Sequence, residues 1–415
     1  MTRSIVVSQL GARMHYAVPR ILHRAGMLTH FYTDICATKG WPRLLGRLPR
    51  SVLNNGLRRL AGRVPADIPA DRMTCFNGIG LLYTLHRMRA RSPSEETAAM
   101  LATARAFSRR VVRRGFGDAD GFYGIAGECL EQMQAARAAG LWTAVEQIIA
   151  PRGIVERLIQ EEAARFPDWE RPGPPDRHAE AFGAREKAEW EAADLIVCPS
   201  EFVRQTVIES GGPAGRCVLV PYGVDARFQL PERRRIGGPL RVLTIGAVGL
   251  RKGSPYVAEA ARQLAGHAVF RMVGPCNLPE QARSRLGDLV EITGPVPRAE
   301  ILDHYAWADV FLLPSICEGS ATVIYEAMAA GLPVITTANS GSVVRDGLDG
   351  FVVPIRDAAA IAEALAFLHG HRGRLADMSR QAQARARDFD LAGYGRRLRQ
   401  ALAQPGEHRP ALAVR

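Results

Sequence analysis

The stretch from Val310 to Thr336 constrains this chain more than any other. Val310-Phe311-Leu312-Leu313 is a short apolar run, readable as a buried strand. A polar loop, Pro314 to Ser320, comes next. The spacing predicts a helix over 321–330, stopped by Gly331 and Pro333, since Gly and Pro gather just past helix ends. Pro333 to Thr336 then opens another strand. The unit is strand, loop, helix, strand, with Glu318 in the loop and Glu326 more than a turn into the helix.

That geometry suits one kind of ligand. A helix N-terminus offers free backbone N–H groups and the positive end of the helix dipole, which favour phosphate. Open α/β sheets bind ligands in the crevice at the carboxyl ends of their strands, where this loop lies. A carboxylate on each side of an anion site can hold hydroxyl groups on each side of a diphosphate. A nucleotide-sugar has that layout: ribose diol, diphosphate, sugar diol. Two glutamates taken alone would read as a solvated loop and a helix surface.

A second signal lies upstream. Arg241 to Gly246 reads as a strand, and it ends in Gly246-Ala247-Val248-Gly249-Leu250-Arg251-Lys252-Gly253. The glycines allow close backbone approach. Arg251 and Lys252 supply adjacent cations at the carboxyl end of the strand, one able to fork onto phosphate oxygens and the other a compact charge. Lysine is scarce in this chain, at positions 39, 187 and 252 only, among 54 basic residues. The glycine spacing does not match the dinucleotide fingerprint GxGxxG. Paired with the Glu318 and Glu326 unit, the segment reads as a diphosphate clamp.

A chain of 415 residues is long for one core, so two domains are expected. The predicted strands and helices alternate up to Pro221-Tyr222-Gly223-Val224-Asp225 and start again at 240. This gives a first α/β domain over 1–222, a linker over 223–239 and a second α/β domain over 240–388. Residues 389–404 form a last helix, and 405–415 a tail. Seven scattered cysteines without a Cys-x-x-Cys pair read as reduced thiols. No cluster of His, Cys, Asp or Glu has metal spacing, so no metal or other cofactor is expected. No apolar run reaches membrane-spanning length, and the N-terminus runs directly into a strand, which predicts a cytoplasmic protein.

Charge is uneven. Residues 1–115 hold 20 basic and 5 acidic side chains, whereas the remaining residues hold 34 and 37. From Trp41 to Arg63, arginines alternate with leucines and valines and no acid intervenes. A basic amphipathic segment of this sort can lie on anionic lipid, so an anionic membrane surface is an expected partner of the first domain. Nucleic acid is not expected, because aromatics are sparse here and no nucleic-acid motif appears.

Both phosphate-site motifs, in this order and in the second domain, resemble the retaining glycosyltransferases of the GT-B fold, specifically family 4. The matching positions run through Gly246, Lys252, Gly274, Gly294, Asp309, Pro314-Ser315, Glu318, Glu326-Ala327, Gly331, Pro333, Asp346-Gly347, Gly350 and Pro354. The first half matches only at Gly11, Ala193-Asp194 with Ser200, and residues 221–225. The tail from Phe389 resembles the helix that crosses back to the first domain.

The resemblance implies two Rossmann-like domains facing each other across a cleft. It implies a hexose moved with retention of configuration from a nucleoside diphosphate, UDP or GDP, to a hydroxyl of a glycan or lipid-linked acceptor in cell-surface polysaccharide or glycolipid synthesis. Glu326 would bind the ribose and Glu318 the transferred sugar. Gly319, Ser320, Ala321 and Thr322 would hold phosphate through their N–H groups, and Arg251 and Lys252 would neutralise it. Gly249, Gly274 and Val296 would complete the donor site, Val296 near the base. On the acceptor side the candidates are Gly11, His15, expected at the start of a helix, and Glu146. The sequence departs from the family at Ala247, where Arg is common, and at Glu146-Gln147, where many members carry a histidine. A non-catalytic sugar-nucleotide-binding or assembly subunit, and a GT-B sugar-nucleotide epimerase, are the rival readings.

Overall fold

The computed structural model describes residues 3–49, 55–171, 173–231 and 237–403. Two parallel sheets organise the chain. The first contains β1 (Ile5–Gln9), β2 (Leu28–Thr33), β3 (Met73–Cys75), β4 (Gly121–Ile125), β5 (Trp142–Glu146), β6 (Leu195–Cys198) and β7 (Cys217–Leu219), in the order 3-2-1-4-5-6-7. The second contains β8 (Leu240–Ile245), β9 (Ala268–Val273), β10 (Glu291–Gly294), β11 (Val310–Leu313), β12 (Val334–Thr337) and β13 (Gly350–Val353), in the order 10-9-8-11-12-13. β1 and β11 are buried at every position, as strands covered on both faces by helices must be.

Strand order reverses beside β1 and beside β8. At such a switch point neighbouring crossovers leave in opposite directions and a crevice opens at the carboxyl strand ends. The loops after β1, β8 and β11 therefore face a common space. The helix Thr322–Ala329 follows β11 and buries Ile324, Tyr325, Ala327, Met328 and Ala329. It ends in a paired closure: Leu332 N–H donates to the Ala327 carbonyl and Gly331 N–H to that of Met328. Gly331 takes φ +74°, the left-handed conformation this closure requires.

Three departures from the sequence-based expectation matter for the site. The helix expected to carry His15 and Tyr16 begins at Ala17. Met14, His15 and Tyr16 instead form a run with φ of 45°, 52° and 61°. Three consecutive left-handed non-glycine residues are costly, on the order of 1–3 kcal/mol each, so the surrounding packing must hold them. Tyr16 does this by burying its ring completely, edge-on to Phe31.

The second departure concerns the first domain, expected over 1–222. β5 stops at Glu146, and Gln147 to Ile149 turn away toward the second domain. A helix, Arg152–Arg165, follows and packs on that domain. Leu158 and Trp169 share a core cluster with Val257, Tyr256 and Leu250. Glu162, fully buried, accepts from the Tyr256 hydroxyl at 2.8 Å and pairs with Arg356 at 2.5 Å.

The third concerns the chain between the sheets. Val224 N–H donates to the Phe389 carbonyl at 2.8 Å, and Phe228 is buried edge-on to Tyr305. Residues 223–231 are thus packed into the structure. Part of the basic 41–63 segment and of the 223–239 stretch, residues 50–54 and 232–236, lies outside the described residues. The helix Leu391–Ala403 returns to the first domain: Tyr394 meets Tyr222 edge-on, and Arg397 donates to the carbonyls of Pro221 and Tyr222.

Candidate active site

The two sheets enclose a cleft of about 1390 Å³. Its second-domain wall is the start of the helix Thr322–Ala329. Gly319, Ser320, Ala321, Thr322, Val323, Glu318, Glu326, Lys252 and Arg298 line it there. The Ala321 N–H points inward to the Ser340 carbonyl at 3.1 Å, so it is already satisfied. The Ser320 side chain is likewise engaged, with the Tyr325 hydroxyl and the Gly341 carbonyl. Backbone N–H groups of Gly319, Ser320, Thr322 and Val323 have no partner among the described residues. Those of Thr322 and Val323 are helix-start donors, and those of Gly319 and Ser320 belong to the loop before the N-cap Ala321; together they can take up an anion.

Glu318 sits between two cations. Arg251 Nη1 and Lys252 Nζ both stand 2.8 Å from the same oxygen, Glu318 Oε1. Burial pushes the Lys252 ammonium below its usual range, and the Glu318 charge and hydrogen bond oppose that shift. The lysine stem lies against Gly246: a Cβ there would come within 2.9 Å of Lys252 Cε. Gly246 is thus the position that lets the ammonium reach the carboxylate. Arg251 itself is half-exposed and does not line the cleft, so of the expected cation pair only Lys252 faces it.

Glu326 lies deeper along the helix. Tyr305 Oη donates to its Oε2 at 3.0 Å, and Arg298 Nη2 stands 3.9 Å from its Oε1. Burial raises its carboxyl pKa, while the Tyr305 bond and Arg298 pull the other way.

Three expected donor residues have other roles. Gly249 N–H donates to Ser254 Oγ at 2.9 Å, and its open α-carbon faces Glu170, whose carboxylate takes the Leu250 N–H at 2.5 Å. Gly274, at φ +149°, packs against the Gly246 carbonyl. Val296 is half-buried against the main core. None of the three lines the cleft. They shape the loop after β8 and its support.

On the first-domain side, His15 lines the cleft and is exposed. Partial desolvation in the cleft lowers its pKa, and Arg298, Arg227 and Arg20 add to the shift while Asp225 opposes it. Gly11 turns the loop at φ +72° and gives its N–H to Asp34, away from the cleft. Glu146 is not an acceptor-side surface group. It is 1% exposed and accepts from the Tyr123 and Tyr222 hydroxyls at 2.7 Å each. Arg13 stands 3.7 Å from it and also donates to the Tyr222 hydroxyl. Glu146 therefore anchors Arg13, and Arg13 is what reaches the cleft.

The first domain closes directly on the donor loop. Ser200 Oγ donates to the Gly319 carbonyl at 2.5 Å, and Gly319 has no room for a Cβ because the Ile148 carbonyl sits there. Sequence reasoning missed the cleft residues Arg13, Arg20, Arg24, Arg227, Arg396 and Arg399. In a chain with only three lysines among its 54 basic residues, an arginine carries little contrast. Among the described residues no three His, Cys, Asp or Glu side chains gather as a metal site.

The arrangement matches known proteins. HepE of Anabaena, solved in complex with UDP, superposes with a TM-score of 0.62 at 17% identity, over 96% of this chain and 99% of that one. The fold is GT-B. Residues 239–371, the heart of the second GT-B domain, match the family described as Glycosyl transferases group 1. The amylovoran biosynthesis glycosyltransferase AmsK of Erwinia amylovora is 31% identical over 189 residues, 41% of this chain and 46% of that one. A D-inositol 3-phosphate glycosyltransferase of Geodermatophilus obscurus is 33% identical over 219 residues, 46% of this chain and 48% of that one. The chain thus spans about half the length of these curated relatives. The matched GT-B domain carries Lys252, Glu318 and Glu326.

Proposed function

We propose that this chain is a retaining glycosyltransferase. It moves a hexose-type sugar from a nucleoside diphosphate, UDP or GDP, to a hydroxyl of a glycan or lipid-linked acceptor, in the synthesis of cell-surface polysaccharide or glycolipid. The observation that carries this is the Glu318 carboxylate bridged by Lys252 and Arg251, beside the free N–H groups of the loop and helix start at 319, 320, 322 and 323 and one helix turn or more from Glu326. The ribose hydroxyls bind Glu326, the diphosphate lies on the N–H groups and Lys252, and the sugar hydroxyls reach Glu318. The names of the matched relatives support a glycosyltransferase.

In the reaction the acceptor oxygen bonds to the anomeric carbon on the face from which the diphosphate leaves. The bond from that carbon to the β-phosphate oxygen breaks. The acceptor proton passes to the departing phosphate oxygen, giving a nucleoside diphosphate and a glycoside with the same anomeric configuration. Fixed cations and helix-start N–H groups stabilise the leaving charge without reorganising. Thermal denaturation with UDP, GDP and ADP tests the donor reading, since a bound nucleotide raises stability by mass action. No shift with any of them would overturn it.

We also propose that the first domain seats on the inner face of the cytoplasmic membrane. No helix among the described residues is long and apolar enough to cross a bilayer. Trp41, Leu44 and Leu48 are exposed, and so are Leu81, Leu82, Leu85 and Met88 on the helix Asn77–Arg89, with Met88 78% exposed. Asn77 Nδ2 ties the two segments by donating to the Lys39 carbonyl at 3.0 Å. Arg43, Arg87 and Arg89 stand among these apolar side chains in sequence. An apolar stripe with basic neighbours fits an anionic lipid surface. Flotation with vesicles containing anionic phospholipid tests this, with Leu82→Glu/Met88→Glu expected to abolish binding. Absence of binding by the unaltered protein at low salt would refute it.

A further inference from the structure

The cleft has a second charged region that the donor does not use. The helices Ala17–Arg24 and Leu391–Ala403 meet where position 395 is glycine: a Cβ there would lie 3.3 Å from Ile21 Cγ2. This close approach brings two arginine pairs to one mouth. Arg20 and Arg24 lie one turn apart on the first helix, and Arg396 and Arg399 nearly one turn apart on the second. All four line the cleft.

Their charges are largely uncompensated. Asp67 stands 3.3 Å from Arg20 and closer to Arg24, so one carboxylate serves two guanidinium groups. Asp67 is itself half-exposed and held at φ +70°. Neither Arg396 nor Arg399 pairs with a carboxylate among the described residues; Arg399 Nε donates only to the Gly395 carbonyl at 3.3 Å. Of the acids that line the cleft, Glu318 engages Lys252 and Arg251, Glu326 faces Tyr305 and Arg298, and Asp225 stands 4.0 Å from Arg227. The positive field extends to His15, whose protonation Arg20 helps suppress.

Arginines on a convex surface would simply be solvated. These four sit instead around a concavity, with Ile21, Ala25, Val64, Leu391 and Ala392 between them. Guanidinium groups arranged on two converging elements match the paired oxygens of a phosphate or a carboxylate. Resting on the transferase reading of the cleft, we infer that this mouth is the acceptor subsite and that it binds an oxyanion, phosphate or carboxylate, carried by the acceptor. The acceptor would then be a charged molecule, either phosphorylated or bearing acidic sugars, with its reactive hydroxyl directed inward toward Glu318.

The test uses the full chain saturated with whichever nucleoside diphosphate binds, so that the donor phosphate site is filled. Inorganic pyrophosphate and sodium glucuronate are titrated by calorimetry, with glucose as the neutral control. The expected result is binding of one or both anions and not of glucose. Pyrophosphate alone points to a phosphorylated acceptor, and glucuronate alone to an acidic glycan. Arg396→Ala/Arg399→Ala should weaken that binding at least tenfold while leaving nucleotide affinity unchanged. Both arginines are exposed, so the variant should fold, and its melting temperature checks this. Failure of both anions to bind the nucleotide-loaded protein, or unaltered binding by the double variant, would overturn the inference. Failure of every nucleotide to bind would instead overturn the donor reading.

Discussion

Replacing Lys252 by methionine isolates one charge. The lysine stem packs against Gly246, and methionine keeps most of that volume, so the loop should hold its shape. Glu318 retains Arg251 at 2.8 Å, so the carboxylate is not stranded. What disappears is the charge of a side chain only 10% exposed to solvent. Two unit charges about 4 Å apart interact by roughly 4 kcal/mol at an effective dielectric constant near 20. Much of that is offset, because Lys252 must share itself between Glu318 and the incoming phosphate. The net contribution of a charge-assisted hydrogen bond is about 1.5–3 kcal/mol. At about 1.4 kcal/mol per decade, the nucleoside diphosphate should bind about 10- to 150-fold more weakly. Calorimetric titration reads this directly, with the parent nucleoside as control. The nucleoside lacks phosphate and should bind both proteins alike. Unchanged diphosphate affinity, or an equal loss for the nucleoside, would refute the assignment of Lys252 to the diphosphate.

Three further outcomes are expected. Glu326→Gln should weaken bare nucleotide roughly tenfold or more through the lost ribose contact, whereas Glu318→Ala should spare bare nucleotide and abolish the gain from the attached sugar; equal losses in bare-nucleotide titrations would contradict that division. Burial pushes the Glu128 carboxyl up to about 8, although it accepts the Leu10 N–H at 2.9 Å. The folded state therefore holds a proton that the unfolded chain releases near its ordinary value, and this stabilisation, complete in acid, is lost as pH rises toward 8. Glu128→Gln should accordingly gain stability relative to the parent between pH 5 and pH 9 in urea denaturation, and a constant difference would count against it. Glu162→Ala removes a fully buried carboxylate facing Arg356 and Tyr256. Breaking a buried pair costs about 3–5 kcal/mol. Arg356 keeps Glu161 at 2.7 Å, so the lower end is expected, and a loss below about 1 kcal/mol would show the pair to be dispensable.

The second-domain wall of the cleft was legible because its residues are local in sequence. Glu318, the helix start and Glu326 lie within one strand-loop-helix unit, so spacing alone places them on one site. Arg251 and Lys252 could be joined to it because both loops leave carboxyl ends of strands in one sheet. The first-domain half depends on contacts that no spacing records. His15 reaches the cleft through three left-handed residues, a backbone state that side-chain identity disfavours. Glu146 occupies a plausible position in sequence, yet two tyrosines more than 20 residues away in either direction draw it into the interior. The arginine mouth joins position 20 to position 399, and only the packing of Gly395 on Ile21 reveals it.

The helix Arg152–Arg165 changes what counts as a module in this protein. It precedes β6 and β7 in the chain, yet its buried face belongs with Tyr256 and Val257 of the other sheet. For an exchange of the second domain with that of a relative, the chain near 223–239 offers itself as the cut. Such a hybrid would place a foreign surface opposite Leu158, Trp169 and Glu162, and would remove the Leu250 N–H from Glu170. A working exchange has to treat residues 150–170 as part of the second domain although they lie inside the first, so the unit that packs as one body around the second sheet is discontinuous in the chain.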